Sequence, residues 1–177
     1  MTLKIEKKNS APCYAGIEIG GTKLQIVVGS AQGDIYHRYR FSVDPKTGAE
    51  GIRGHIEASL LAIKSAWEVR AIGAGYGGPV HWRTGNIIKS YHVQGWDGFP
   101  LGSWLQSVSG IPAYVENDAN VAALGEALQG AGRGCDPAFY VTVGSGVGGG
   151  LVAEGRIYHG FSGGEAEIGH LGCTKTV

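Results

Sequence analysis

The chain is poor in cysteine, in charge of one sign and in long apolar runs, and each shortage excludes something. Cys13, Cys135 and Cys173 are its only cysteines. They are widely spaced and contain no C-x-x-C pair, so they argue against a disulfide framework and fit a reducing compartment. Fifteen basic side chains balance fifteen acidic ones, which argues against a polyanion-binding surface, so no nucleic-acid partner is expected. No apolar stretch reaches the length that crosses a bilayer, and the opening MTLKIEKKNSAP holds no apolar signal region. The expectation is a cytoplasmic protein without a membrane partner.

Glycine is what the chain has in excess. It supplies 32 of 177 residues, well above the usual share of about 7%. The glycines follow no repeat and fall between apolar segments, which marks tight turns and ligand loops. Tyr14 to Ile19, Leu24 to Gly29 and Ile35 to Phe41 read as three consecutive strands. Ile52, Ile56, Leu60, Ile63 and Trp67 recur at intervals of three and four, one face of a helix. Ala71 to Tyr76 is a short buried strand that ends in Gly77-Gly78-Pro79. An irregular stretch with a small hairpin around Thr84-Gly85-Asn86 follows. Leu101 to Val108 is a short helix and Ile111 to Val115 another strand. Asn117 to Leu128 reads as a helix with Val121, Leu124 and Leu128 facing inward. Gly130 to Gly134 is a glycine-rich break, and strands resume at Phe139 to Val143, Gly148 to Ala153 and Arg156 to Tyr158.

That order predicts a mixed α/β sheet with helices on its faces. The later strands echo the first ones: a strand, a glycine turn with a hydroxyl, a strand. A second copy of the same domain therefore opens near residue 137. The expected divisions are a tail over 1–13, a first domain over 14–133 and an incomplete second domain over 134–177.

Three stretches carry chemistry. Gly20, Gly21 and Thr22 sit between two strands, with Glu18 before them and Lys23 after. Successive backbone N–H groups in such a turn form an anion nest. Gly144-Ser145-Gly146 repeats the arrangement, so two turns could hold a polyphosphate between them. In the run ENDAN (116–120), Asn117 and Asp118 end a strand and open a helix, the sheet edge where α/β proteins bind ligands. Each alone reads equally well as a helix cap. Together they suit a polyol: the aspartate accepts a hydroxyl proton, the asparagine hydrogen-bonds the same molecule, and the helix dipole favours the ionised carboxylate. Glu167 and His170 are three residues apart and share a face if that stretch is helical. They suit sugar hydroxyls, a metal, or each other. His37, His55, His81 and His92 show no ligand spacing, and Trp82, Trp96 and Trp104 read as packing residues.

In this order, GIEIGGTK, GGPV, ENDANVAALGE, VGSGVGGG and EIGH resemble the ROK family of sugar kinases and sugar-responsive repressors, from about Tyr14 to Gly172. Within it the likeness is to glucokinase-like members. The resemblance implies the actin-like ATPase superfamily, in which two ribonuclease-H-like domains close on ATP and substrate. It places ATP phosphates at Gly20, Gly21, Thr22 and Lys23 and at Gly144, Ser145 and Gly146. It makes Asp118 the catalytic base, puts Gly78 in the loop lining the sugar pocket, and gives Asn117, Glu167 and His170 the sugar hydroxyls. Glu18 stands where the family usually has aspartate and should reach a magnesium-bound water. The implied reaction is ATP-dependent phosphorylation of a hexose, glucose at its 6-hydroxyl, and family members often form homodimers.

Departures qualify this. Ser145 replaces a usual threonine, and Glu165 sits where a small residue is common. His92 stands where many members have asparagine, which leaves the choice of hexose open. The family histidine matching His170 often binds zinc with a downstream cysteine cluster. The sequence ends at Cys173-Thr-Lys-Thr-Val177, and one cysteine cannot complete a tetrahedral site. Zinc is therefore expected only in a longer chain, and the 177 residues alone are not expected to turn over. The alternative is a regulatory or non-catalytic sugar-binding protein of the same family. About a dozen residues precede Tyr14, too few for a helix-turn-helix, and the intact Asn117-Asp118 pair favours the kinase.

Overall fold

The computed structural model describes residues 12–144, 146–160 and 168. Its packing divides into two compact units, Met1–Asp118 and Ala119–Val177.

The first unit is built on a hairpin. β1 (Cys13–Ile19) and β2 (Lys23–Gly29) alternate buried and outward residues, and the two-residue connection Gly21-Thr22 sets their register. Gly20 donates its N–H to the Lys23 carbonyl at 2.9 Å, closing the turn. β3 (Ile35–Ser42) adds antiparallel to β2. The chain then crosses through α1 (Gly48–Ala66) to β4 (Val69–Tyr76), which lies parallel to β1. The tiny hairpin of β5 (Val80–His81) and β6 (Asn86–Ile87) forms where the sequence places it, around Thr84-Gly85-Asn86. A second crossover, α2 (Leu101–Ser109), delivers β7 (Ala113–Asn117) parallel to β4. The sheet order is β3-β2-β1-β4-β7. It is mixed because the short turns can only make antiparallel neighbours, whereas the helical crossovers make parallel ones.

One face of this sheet is the core. Ala15, Ile17 and Ile19 of β1, Leu24, Ile26 and Val28 of β2, and Ile72 and Ala74 of β4 are buried there with Ile52, Ile56, Leu60 and Ile63 of α1. The helical stripe read from spacing is thus the stripe that packs. Each such side chain contributes about 1.5–3 kcal/mol of burial. Trp96, wholly buried, meets Tyr76 and Phe99 edge to face at 6.0 and 5.2 Å. The other face carries Gly16, Val27 and Gly73 between Tyr14 and Tyr114. These line an open hollow of about 410 Å³.

α3 (Asp118–Gln129) starts at the boundary of the two units, and β8 (Ala138–Val143), β9 (Val147–Ala153) and β10 (Arg156–Ile157) form an antiparallel sheet in the second. Here the helix faces differ from expectation. Ala119, Asn120 and Ala123 are the buried residues of α3, while Val121 and Leu128 are 40% and 49% exposed. The reason lies on β9. A Cβ added at Gly150 would stand 2.6 Å from the Ala123 Cβ, and one at Gly148 would stand 3.4 Å from the Ala119 Cβ. The helix therefore approaches a glycine stripe through its smallest residues. Among the described residues, no helix is long and apolar enough to cross a membrane.

Candidate active site

The three parallel strands end together. Register aligns Ile19 of β1 with Tyr76 of β4, and Tyr76 with Asn117 of β7. The residues that follow, Gly20, Gly77 and Asp118, therefore emerge on one edge of the sheet. Sequence reasoning had put a phosphate turn, a sugar loop and a candidate base on these three segments separately, and the fold brings them side by side within the first unit.

Asn117 is the last residue of β7 and not the first of the helix, and Asp118 opens α3. The Asn117 side chain donates from Nδ2 to the Gly78 carbonyl at 3.2 Å, which ties β7 to the loop after β4. The Asn117 backbone N–H donates to Glu116 Oε1 at 2.8 Å. The position of Asp118 can be read from Gly77. A Cβ added there would stand 3.3 Å from Asp118 Oδ2, 3.5 Å from the Ile19 carbonyl and 3.8 Å from the Gly20 Cα. The carboxylate thus lies above a bare glycine floor that borders the β1–β2 turn.

The loop from Ile88 to Trp96 walls the same edge; the resemblance singles out His92 within it, but its packing against the Gly21 turn is not readable from the sequence. A Cβ at Gly78 would meet a Tyr76 ring carbon at 2.9 Å and the Lys89 carbonyl at 3.2 Å, and one at Gly21 would meet the His92 Cβ at 2.9 Å. Neither glycine at this contact adopts left-handed backbone. What they supply is close approach of backbone and loop. The loop is pinned by Ser90, whose N–H donates to Asp97 Oδ1 at 2.7 Å, and by the Gln94 carbonyl, which accepts from Ala49 N at 3.0 Å. Burial pushes the Tyr76 phenol above its ordinary range. A hydrogen bond with Ser90 offsets part of that, and the Asp97 charge adds to it. His92 is exposed, but it packs on the β1–β2 turn at Gly21.

Glu18 and Lys23 flank the turn as an ion pair at 3.3 Å, with side chains 48% and 50% exposed. A pair so exposed is worth about 0–1 kcal/mol, so an incoming phosphate can take Lys23 at small cost. Magnesium is commonly held by one or two carboxylates plus substrate phosphates. Glu18 beside an anion-binding turn fits that use, and among the described residues no cluster of three or more His, Cys, Asp or Glu forms a protein-only metal cage.

In the second unit, Gly144 and Gly146 form the exposed β8–β9 turn, closed by Gly144 N–H donating to the Gly146 carbonyl at 2.8 Å. Ser145, Glu165, Glu167, His170 and Cys173 lie outside the described residues. Of the tryptophans, Trp96 is core, Trp104 packs on Phe99 at 5.8 Å, and Trp82 stacks under Arg83 at 4.6 Å. His37 and His55 pack on Tyr39 and Phe41 at 4.5 and 4.3 Å.

Known proteins resemble this chain in sequence and in fold. The sequence pattern of the ROK family matches residues 14–176. A glucokinase of Halalkalibacterium halodurans is 36% identical over 163 residues, covering 89% of this chain and 49% of that protein. A putative fructokinase of Bacillus subtilis is 35% identical over 160 residues, covering 88% and 50%. A ROK family glucokinase from Streptomyces griseus, solved in complex with glucose and AMPPNP, matches with a TM-score of 0.80 at 34% identity over 90% of this chain and 50% of that one. The chain spans about half the length of the curated relatives it matches. Its fold is the actin-like ATPase fold of the ROK sugar kinases, a mixed-sheet ribonuclease-H-like domain followed by the opening of a second. On sequence and on structure alike, the chain belongs to the ROK family.

Proposed function

We propose that the protein transfers the γ-phosphoryl group of ATP to a hexose, glucose at its 6-hydroxyl. The observation that carries this is the meeting of Asp118, the Gly78 loop and the Gly20–Lys23 turn on one edge of the sheet. An acceptor hydroxyl beside Asp118 lies next to an anion-binding turn, which is the pairing phosphoryl transfer needs. The relatives named glucokinase and the neighbour holding glucose and AMPPNP support the same substrates.

In this reading Asn117 and the Gly78 loop orient the sugar, helped by Glu167 and His170. Asp118 accepts the proton of the attacking hydroxyl as its oxygen bonds to the γ-phosphorus, and the bond from that phosphorus to the bridging oxygen breaks to release ADP. The backbone N–H groups of Gly21 and Thr22, with Lys23, hold phosphate oxygens on the turn that the Gly20 N–H closes, and Ser145 and Gly146 do so from the second domain on the turn that the Gly144 N–H closes. Magnesium, held through water by Glu18 and by the phosphates, would neutralise charge on the transferred group. Residues 14–133 then form the first domain and 134–177 open the second. α3 is the element at the junction, whichever of its ends is taken as the border.

The test is a coupled assay of ATP-dependent glucose phosphorylation by the full protein. Asp118→Asn is expected to lower kcat about 10²–10⁴-fold and to leave glucose affinity within about threefold, because the amide keeps the shape of the carboxylate and its acceptor oxygen. A full rate in that variant would refute the assignment of the base.

A further inference from the structure

A polar row crosses three strands beside the phosphate turn. The two-residue connection sets Glu18 opposite Gln25, and the next ladder sets Gln25 opposite Arg40. Arg40 Nε donates to Gln25 Oε1 at 2.8 Å, and Gln25 Nε2 donates to Glu18 Oε2 at 3.0 Å. Lys23 pairs with the other carboxylate oxygen, Glu18 Oε1, at 3.3 Å. A guanidinium has donors only and a carboxylate acceptors only, while the glutamine amide has both. Arg40 therefore claims the amide oxygen and turns the NH₂ group toward Glu18. The two oxygens of Glu18 are thereby divided: Oε2 is tied to the sheet, and Oε1 faces the turn.

We propose that Gln25 and Arg40 are positioning residues that hold Glu18 through Oε2, so that Oε1 is presented to the magnesium–phosphate group of bound nucleotide once Lys23 leaves it for phosphate. This rests on the phosphotransfer reading above. The groups are largely exposed, so the row adds little to stability. Its effect is on orientation, in the way that partners of a metal-binding carboxylate commonly change metal affinity about 10–100-fold. Glutamine is suited to the middle place because a glutamate there would set two carboxylates against each other, and an aliphatic side chain would leave Glu18 to rotate.

The experiment is calorimetric titration of AMPPNP into the full protein over a series of magnesium concentrations, with glucose titrated separately. Gln25→Leu is expected to raise the magnesium concentration for half-maximal nucleotide binding about tenfold, with glucose affinity within twofold of the parent. Arg40→Leu should shift it in the same direction, and Arg40→Lys, which keeps a donor for Gln25 Oε1, should restore it. An unchanged magnesium midpoint in both leucine variants overturns the proposal, as does a parallel loss of glucose and nucleotide affinity, which would mark a general structural defect. A parent protein that binds no magnesium–AMPPNP overturns the phosphotransfer reading itself and this proposal with it. A parent that binds while the leucine variants match it overturns the relay alone.

Discussion

Single residues at the site act mostly by being small or by holding one another. Gly21 admits the His92 side chain. Gly21→Ala is expected to destabilise the protein by about 1–3 kcal/mol, the range for overpacking, and to weaken nucleotide binding. Gly21→Ala combined with His92→Gly should recover much of the stability in urea denaturation, since the obstructing Cβ is gone. Recovery absent from the double variant would mean that the strain lies elsewhere. A different residue, Tyr39, shows what an unmet group costs. Its hydroxyl is buried and finds no hydrogen-bond partner among the described residues. Tyr39→Phe should therefore raise unfolding free energy by about 1 kcal/mol. The place of Asn117 and Asp118 at the sheet edge was legible in the sequence, because a polar pair closes an apolar strand there, although each alone reads equally well as a helix cap. Gln25 was legible in principle, by counting back from the two-residue turn to Glu18. Arg40 was not, nor was the contact of His92 with Gly21, because these arise through strand register and through a loop about seventy residues from Gly21 along the chain.

Elements place these residues through rules the sequence largely carries. The stripe at Ile52, Ile56, Leu60 and Ile63 specified α1 and its buried face, and glycine turns specified the β1–β2 and β5–β6 connections. Ile56→Ala, at a wholly buried position of that stripe, should cost about 2–5 kcal/mol in chemical denaturation. α3 was misread because apolar spacing favours its large residues, whereas the inward face is chosen by what lies opposite. The glycines of β9 leave room for Ala119, Asn120 and Ala123 to face them. Strand β1 and its neighbours also set a pH limit. Burial raises the thiol of Cys13, with Glu68 adding to it, and raises the phenols of Tyr39 and Tyr76. Groups raised in the folded state contribute fully below their unfolded values and lose that contribution as pH climbs through their folded ones. The urea midpoint should hold up to about pH 9.0, the ordinary thiol value, and fall above it as the phenols begin to ionise in the unfolded chain. The combined change Cys13→Ala with Tyr39→Phe should flatten that fall, and an alkaline fall equally steep in the variant would contradict the assignment.

At the scale of the whole molecule, the chain carries a five-stranded mixed sheet in its first unit and a three-stranded antiparallel sheet in its second. It matches relatives over about half of their length, and the proposed kinase reaction belongs to the protein as a whole. Its central claim is that the ends of β1, β4 and β7 form the hexose site. The most direct test is isothermal titration of glucose into the protein, its Asn117→Ala variant and its Asp118→Asn variant. The expected result is binding by the parent, affinity lower by roughly tenfold in Asn117→Ala, the worth of about one hydrogen bond and the loop it ties, and affinity within about threefold in Asp118→Asn. Glucose binding equal in the parent and Asn117→Ala, or no glucose binding by the parent, would contradict it.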